Sequence, residues 1–283
     1  MANISSQNTL TLVATPIGNM ADISIRAITA FKEADIILCE DTRVSKKLLL
    51  RYNIETKLLS YHEHNAEQMR PKIIKELRSG TKIILISDAG TPTISDPGYQ
   101  LVQACIKANI IVSTIPGPTA LIAALTISGL PTDSFYFGGF LPNKQMARRK
   151  VFMAKKELDA TLIFYDSAKR LLRSLADAVY CFKDRHATVA RELTKLHEDV
   201  RRGSLKELYD LFEKSGAPRG EVVILIGPPD KKPVVDTKNL EKKLRSLLLK
   251  NTLRDSVKLI SDDLGIKRSI VYEQALKISK EEY

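Results

Sequence analysis

Four groups of residues stand where chemistry could be done. The first is the loop Ser87–Gly98, read as Ser-Asp-Ala-Gly-Thr-Pro-Thr-Ile-Ser-Asp-Pro-Gly. Gly90 and Gly98 let the backbone approach a ligand, Pro92 and Pro97 stiffen it, and Asp88 and Asp96 add negative charge. In an ordinary turn the same aspartates would serve as helix caps. The second group holds acids beside cations after short apolar runs: Glu40-Asp41-Thr42-Arg43 and Arg191-Glu192-Leu193-Thr194-Lys195. A carboxylate or a cation at a strand end can help a poor nucleophile lose its proton. The alternatives are an acid-rich helix start for Asp41 and plain pairing of Glu192 with Arg191 or Lys195. The third group is Pro142–Lys156, which carries Lys144, Arg148, Arg149, Lys150, Lys155 and Lys156 and no acid. Beside the aromatics Phe135-Tyr136-Phe137 it is a candidate phosphate-binding strip for nucleic acid, or otherwise a solvated helix face. Last, His62 and His64 alternate as strand-face residues do. A third ligand at metal-site spacing is not evident, so a polar rim is the expectation and no metal is assigned.

These residues need elements to position them. The run Ile83–Ile86 reads as a strand buried on both faces, and helical spacing resumes over Tyr99–Lys107. The Ser87–Gly98 loop then falls at the carboxyl edge of a parallel sheet, where open α/β sheets bind ligands. Thr9–Ala14 and Ile36–Cys39 are further strands, as is Ile110–Ile115. The first ends at Pro16 and Gly18, the last at Pro116-Gly117-Pro118-Thr119-Ala120, with Thr119 placed to cap the next helix. Strands alternating with helices predict a mainly parallel first domain over 1–121. A second α/β domain, 122–229, would hold strands at Thr161–Tyr165, Ala187–Ala190 and Glu221–Ile226. In the basic helix after Pro142, Arg148, Lys155 and Lys156 are expected on one outward face, with Val151 and Phe152 inward.

Residues 230–283 lack strand signals, and 231–283 hold 13 basic against 8 acidic residues. They predict a small helical domain with a basic helix Leu240–Leu249. Leu253–Leu264, a turn at Gly265 and Ser269–Ile278 then follow a helix-turn-helix pattern.

Composition narrows the function classes. The 283 residues carry net charge +11, with 44 basic residues against 33 acidic, which points to an anionic partner such as nucleic acid. No apolar run nears the ~20 residues needed to span a bilayer. Met1–Leu10 lacks a basic segment followed by an apolar stretch, and Cys39, Cys105 and Cys181 are scattered, so a reducing cytoplasm is the expectation. Neither G-x-G-x-x-G nor G-x-x-x-x-G-K-[ST] occurs.

Five segments occur in order: Ala14-Thr15-Pro16-Ile17-Gly18-Asn19, Cys39-Glu40-Asp41-Thr42-Arg43, Ser87 through Gly98, Pro116-Gly117-Pro118-Thr119-Ala120, and Ala190 through Lys195. This set resembles the tetrapyrrole methylase superfamily and, within it, the bacterial family of ribosomal RNA small subunit methyltransferase I. The resemblance spans residues 9–229 and extends more loosely into the C-terminal helices. It implies two α/β domains of the tetrapyrrole methylase type, with S-adenosylmethionine in the cleft between them, working as a homodimer. The reaction it implies is 2′-O-methylation of a cytidine ribose in 16S rRNA, at the decoding centre of the small ribosomal subunit.

Carried onto this chain, the cofactor pocket would use Pro16, Ser87, Asp88, Ala89, Gly90 and Ile94, then Thr119 and Ala120. Tyr165, Ala190, Arg191, Glu192, Leu193, Glu221 and Val222 would complete it from the second domain. Where tetrapyrrole-modifying relatives tend to have Gly-Asp-Pro, this chain has Gly90-Thr91-Pro92, so its loop acid would be Asp88 if the contact is kept. A ribose hydroxyl is a poor nucleophile, and Glu40, Asp41, Arg43 and Glu192 are the candidates to activate it. Two alternatives stay open, a precorrin-type methyltransferase and a non-catalytic RNA-binding factor.

Overall fold

The computed structural model describes residues 8–216, 220–229, 237–249, 251–264 and 268–281. The chain forms two compact units, Met1–Pro229 and Asp230–Tyr283. The first begins with β1 (Thr9–Val13), α1 (Ile25–Glu33), β2 (Ile36–Cys39), α2 (Thr42–Arg51), β3 (Lys57–Ser60) and α3 (Ala66–Arg78). β4 (Ile83–Leu85), α4 (Tyr99–Lys107), β5 (Ile111–Ile115) and α5 (Ala120–Ser128) follow. Five strands make one wholly parallel sheet in the order β3-β2-β4-β1-β5, with β4 at its centre.

Both faces of that sheet are covered, which is why its strands read as unbroken apolar runs. Phe31 of α1 and Leu48 and Leu49 of α2 pack on Val13, Ile37 and Ile84. Ile73 and Leu77 of α3, with Leu101 and Cys105 of α4, cover Leu10, Leu38, Ile83 and Leu85. Ser24 caps α1, its side chain accepting from the Ala27 N–H.

A second sheet follows, built from β6 (Phe135–Phe140), α6 (Gln145–Ala154), β7 (Thr161–Ser167), α7 (Leu171–Phe182) and β8 (His186–Arg191). β9 (Asp199–Ser204), α8 (Leu205–Ser215) and β10 (Glu221–Ile226) complete it. Its order is β6-β7-β10-β8-β9; β6 and β7 are parallel and the other pairs antiparallel. β9 is absent from the sequence reading. It is an edge strand, Asp-Val-Arg-Arg-Gly-Ser, whose charged residues carry no apolar alternation. Phe164, Ile224 and Ile226 face α6, α7 and α8, whereas Ile163, Val223 and Leu225 face α5. Thus α5, which follows the last strand of the first sheet, packs on the second.

One expectation for α6 is corrected. Arg148 is buried, not outward, at 3% exposure. Its guanidinium bonds Asp177 of α7 at 2.5 Å, and Arg149 meets the same carboxylate at 2.6 Å. Asp177 is fully buried, so the fold needs cations facing it, and the i, i+4 pair Arg148 and Phe152 forms the inward face of α6. Arg148 therefore does not belong to an RNA-facing strip. Arg149 is half-buried beneath Tyr180 at 4.1 Å, and Lys155 lies over Tyr136 at 4.3 Å. Lys144 and Lys150 are exposed, while Lys156 is half-buried.

The C-terminal unit holds α9 (Thr237–Leu248), α10 (Leu253–Leu264) and α11 (Arg268–Glu281). They close on Leu240, Leu244, Val257, Ile260, Val271 and Ala275. The turn expected at Gly265 lies outside the described residues. No helix among the described residues is long and apolar enough to cross a membrane.

Removing one partner of a buried ion pair leaves the other charge uncompensated. Asp177→Ala is therefore expected to cost about 3–5 kcal/mol, read as a lower urea midpoint, with Arg149→Ala losing clearly less because Arg149 is partly solvated.

Candidate active site

The carboxyl ends of β1, β2, β4 and β5 deliver four loops to one edge of the first sheet, and hydrogen bonds tie them together. Thr15 and Gly90 exchange backbone bonds, N–H to carbonyl, at 2.8 and 3.0 Å. The Thr15 hydroxyl donates to the Ser87 carbonyl at 3.1 Å. Gly90 sits at φ +87°, a conformation that glycine adopts without strain, and so turns the loop back onto Thr15. Thr91 Oγ1 donates to the Pro118 carbonyl at 3.1 Å, joining the loop after β5. The backbone N–H of Asp41 donates to Asp88 Oδ1 at 3.0 Å, joining the loop after β2.

The second sheet meets this edge with the ends of β7 and β8 and the start of β10. The Asn19 N–H donates to Thr194 Oγ1 at 3.0 Å, a bond from one sheet's loop to the other's. Contact there is so close that a Cβ on Gly18 would lie 2.8 Å from the Leu193 carbonyl oxygen. Tyr165 Oη accepts from the Leu121 N–H at 3.0 Å, which fixes α5 against β7, and its ring meets Phe137 and Phe140 edge-on.

Between the sheets lies a cavity of about 200 Å³. From the expected cofactor set, Asp88, Ala89, Gly90, Ile94, Thr119 and Ala120 line it on one side. Tyr165, Ala190, Glu192, Leu193, Glu221 and Val222 line it on the other. Three residues of that set do not reach it. Pro16 is buried behind Ile17, which lines the cavity in its place. Ser87 is 3% exposed, with its hydroxyl on the Gly90 carbonyl. Arg191 points away into an ion pair with Asp199 at 3.3 Å. Thr119 leads into α5, but its side chain makes no capping bond to the helix.

The lining also includes Thr91, Ser95, Asp96, Phe140, Asp166, Lys195 and Val223, which lie outside the expected cofactor set. Thr91, Ser95 and Asp96 lie within the Ser87–Gly98 loop, and Phe140 follows the aromatic cluster Phe135-Tyr136-Phe137 by three residues, so adjacency was the available signal. Asp166 is engaged by Ser174 and by Arg170, each at 2.5 Å.

The activation candidates separate. Asp41 caps α2, accepting from the Arg43 N–H, and pairs with the Arg43 guanidinium at 2.6 Å. That bond holds the Asp41 carboxyl at about 2, and the Arg43 side chain is 87% exposed. Neither lines the cavity. Glu192 does, bonded by Lys195 Nζ at 3.0 Å and by the Glu221 N–H at 3.3 Å. Burial pushes Glu192 up, but Lys195 and that N–H leave it below its ordinary value. Glu40 lines an adjoining cavity with His62, Glu63, His64, Ser95, Asp96, Pro97 and Phe140. Burial, then the nearby Asp88, raises Glu40. His62 and His64 meet edge-on there, and no group of three metal-ligating side chains occurs among the described residues.

Two facing loops also share backbone strain. Thr93 and Ser95 lie at φ +72° and +65°, and Glu192 and Thr194 at +49° and +63°. Non-glycine residues persist there only where the surroundings fix them, and such residues gather at functional sites.

Asp96 is pushed up to about 6 by burial and then by Glu40. The folded chain thus holds its proton more tightly than the unfolded chain, so stability is greatest below about 4 on this group's account and falls as pH rises to about 6. In urea titrations from pH 4 to 7, Asp96→Asn should flatten that fall; an unchanged slope would assign it to other groups.

The tetrapyrrole (corrin/porphyrin) methylases match residues 9–209. A Mesorhizobium japonicum protein described as ribosomal RNA small subunit methyltransferase I is 44% identical over 95% of this chain and 92% of its own length. Proteins of that description from Synechocystis and Escherichia coli O157:H7 are 41% and 38% identical, each over at least 95% of both chains. Among solved structures, a diphthine synthase superposes with TM-score 0.62 at 16% identity, covering 77% of this chain and 90% of its own. A Thermus thermophilus uroporphyrin-III-C-methyltransferase gives TM-score 0.55 at 19% identity, covering 78% and 94%. These two likenesses speak to the fold. On the sequence matches, the chain belongs to the tetrapyrrole methylase family, within its ribosomal RNA small subunit methyltransferase I group.

Proposed function

We propose that this methyltransferase moves a methyl group from S-adenosylmethionine to the ribose 2′-oxygen of a cytidine in 16S rRNA, at the decoding centre of the small ribosomal subunit. It would work in the cytoplasm as a homodimer, with 1–121 and 122–229 as the cofactor-binding domains and 230–283 as a basic accessory domain. The observation that carries the reading is the cavity between the two sheets, walled by the family's motif loops from both sides.

The residues present fit the donor. Ile17, Ile94, Leu193 and Val222 give an apolar wall for a purine, and the Gly90 cradle brings backbone close. Asp88, Asp96, Glu192 and Glu221 face the same space, opposed among the described lining residues by Lys195. That balance suits a ligand with a sulfonium and an ammonium group. When bound, the donor supplies an electrophilic methyl carbon. The two sheets' loops fix its orientation and keep water out, which supplies much of the acceleration in an in-line displacement. RNA phosphates would rest on Lys144, Lys150 and the half-buried Arg149, Lys155 and Lys156.

Calorimetry with S-adenosylmethionine should give saturable heat for the wild type, and Gly90→Val, a branched side chain at φ +87°, should weaken it at least tenfold. No heat from the wild type would favour a non-catalytic RNA-binding factor. Ribose-methylation mapping of 16S rRNA from cells with and without the gene should differ at one cytidine. Identical maps would contradict the assignment.

A further inference from the structure

We propose that the adjoining cavity lined by Glu40, His62, His64, Pro97 and Phe140 takes the acceptor nucleoside, and that Asp96, at its junction with the donor cavity, receives the proton of the hydroxyl being methylated. This rests on the function proposed above and names the acceptor half of its site.

Continuity is the first argument. Ser95, Asp96 and Phe140 line both cavities, and Asp96 is the acid common to the two. A base for an in-line transfer must reach the nucleophile from the acceptor side while the methyl group waits in the donor cavity. Asp96 stands at that boundary, whereas Glu40 lines only the acceptor side and Glu192 only the donor side.

The chemistry of the lining is the second. Phe140 is 61% exposed, with its ring braced edge-on by Tyr165 at 5.4 Å between centroids. An exposed, braced aromatic on a cavity wall is a stacking platform for a base. The described lining holds Glu40, Glu63 and Asp96 but no lysine or arginine, which disfavours a phosphate and favours hydrogen-bond donors. Cytosine offers its exocyclic amine to such acceptors, and the ribose offers its hydroxyl. His62 and His64 line the same wall and add ring nitrogens to its polar surface.

The proton step balances. The ribose O–H bond breaks with its proton passing to the Asp96 carboxylate. An O–CH3 bond forms as the S–CH3 bond breaks, its electron pair staying on sulfur. Carboxylate and sulfonium leave as neutral acid and neutral thioether. Burial, then Glu40, and further off Asp88 and Glu221, make Asp96 more basic than an ordinary aspartate, against a hydrogen bond from Ser87 that pulls the other way. Tyr165 also faces it, from β7.

The test uses the full-length protein, 30S subunits and S-adenosylmethionine. Donor affinity is read by calorimetry, and transfer is read in single turnovers from pH 5 to 8. For the wild type, the transfer rate should rise with pH as the Asp96 carboxyl gives up its proton and then level off. Compared at saturating donor, Asp96→Asn should transfer about 100-fold more slowly or worse and lose the pH dependence. Phe140→Leu should raise KM for 30S subunits about tenfold with a smaller change in kcat. Asp96→Asn transferring within threefold of wild type at saturating donor would overturn the role of Asp96; an unchanged KM in Phe140→Leu would overturn the acceptor cavity. If the wild type neither binds the donor nor methylates 30S subunits, the function proposed above fails instead.

Discussion

The structure depends on a close backbone approach between two loops that belong to different sheets. Gly18 lies against Leu193, Thr194 and Lys195 so tightly that no side chain fits, and the neighbouring Asn19 N–H bonds the Thr194 hydroxyl. Each sheet alone presents an edge of turns. Held together at this point, the turns wall a shared cavity. The Thr15–Gly90 backbone pair does the same work one step back, fastening the central loop of the first sheet to the loop that crosses over.

Charge is arranged around that closure with a clear division. Inside, carboxylates outnumber cations and several are held above their ordinary values by burial, notably Asp96. Outside, the chain is strongly basic. Such a molecule can attract a polyanion to its surface while offering a cationic or hydrogen-bond-donating group the interior. Asp177 shows the opposite use of charge. Fully buried, it draws Arg148 and Arg149 inward and fixes α6 on α7, at the expense of one cation that the sequence would give to the surface.

Much of the first sheet was legible because its strands are buried on both faces and end in glycine, proline or acid. The loop Ser87–Gly98, the strand before it and the helix after it all stand where periodicity put them. Most of the cofactor residues implied by the resemblance do reach the cavity. What was not legible has physical reasons. β9 is a charged edge strand without alternation. The inward turn of Arg148 depends on Asp177, 29 residues further on, and no local pattern reports a buried partner at that distance. Pro16 and Ser87 sit one residue from the lining but face inward, a distinction of side-chain direction that motif matching does not carry. Asp96 was visible as a charge, but its place between two cavities is a property of the assembled loops.

The central claim, that loops of both sheets grip one methyl donor, is tested most directly by hydrogen exchange on the full-length protein with and without S-adenosylmethionine. Gripping from both sides predicts slowed exchange together in Thr15–Gly18, Asp88–Asp96 and Glu192–Lys195 once the donor saturates. Protection confined to one sheet's loops, or none at saturating donor, would contradict it.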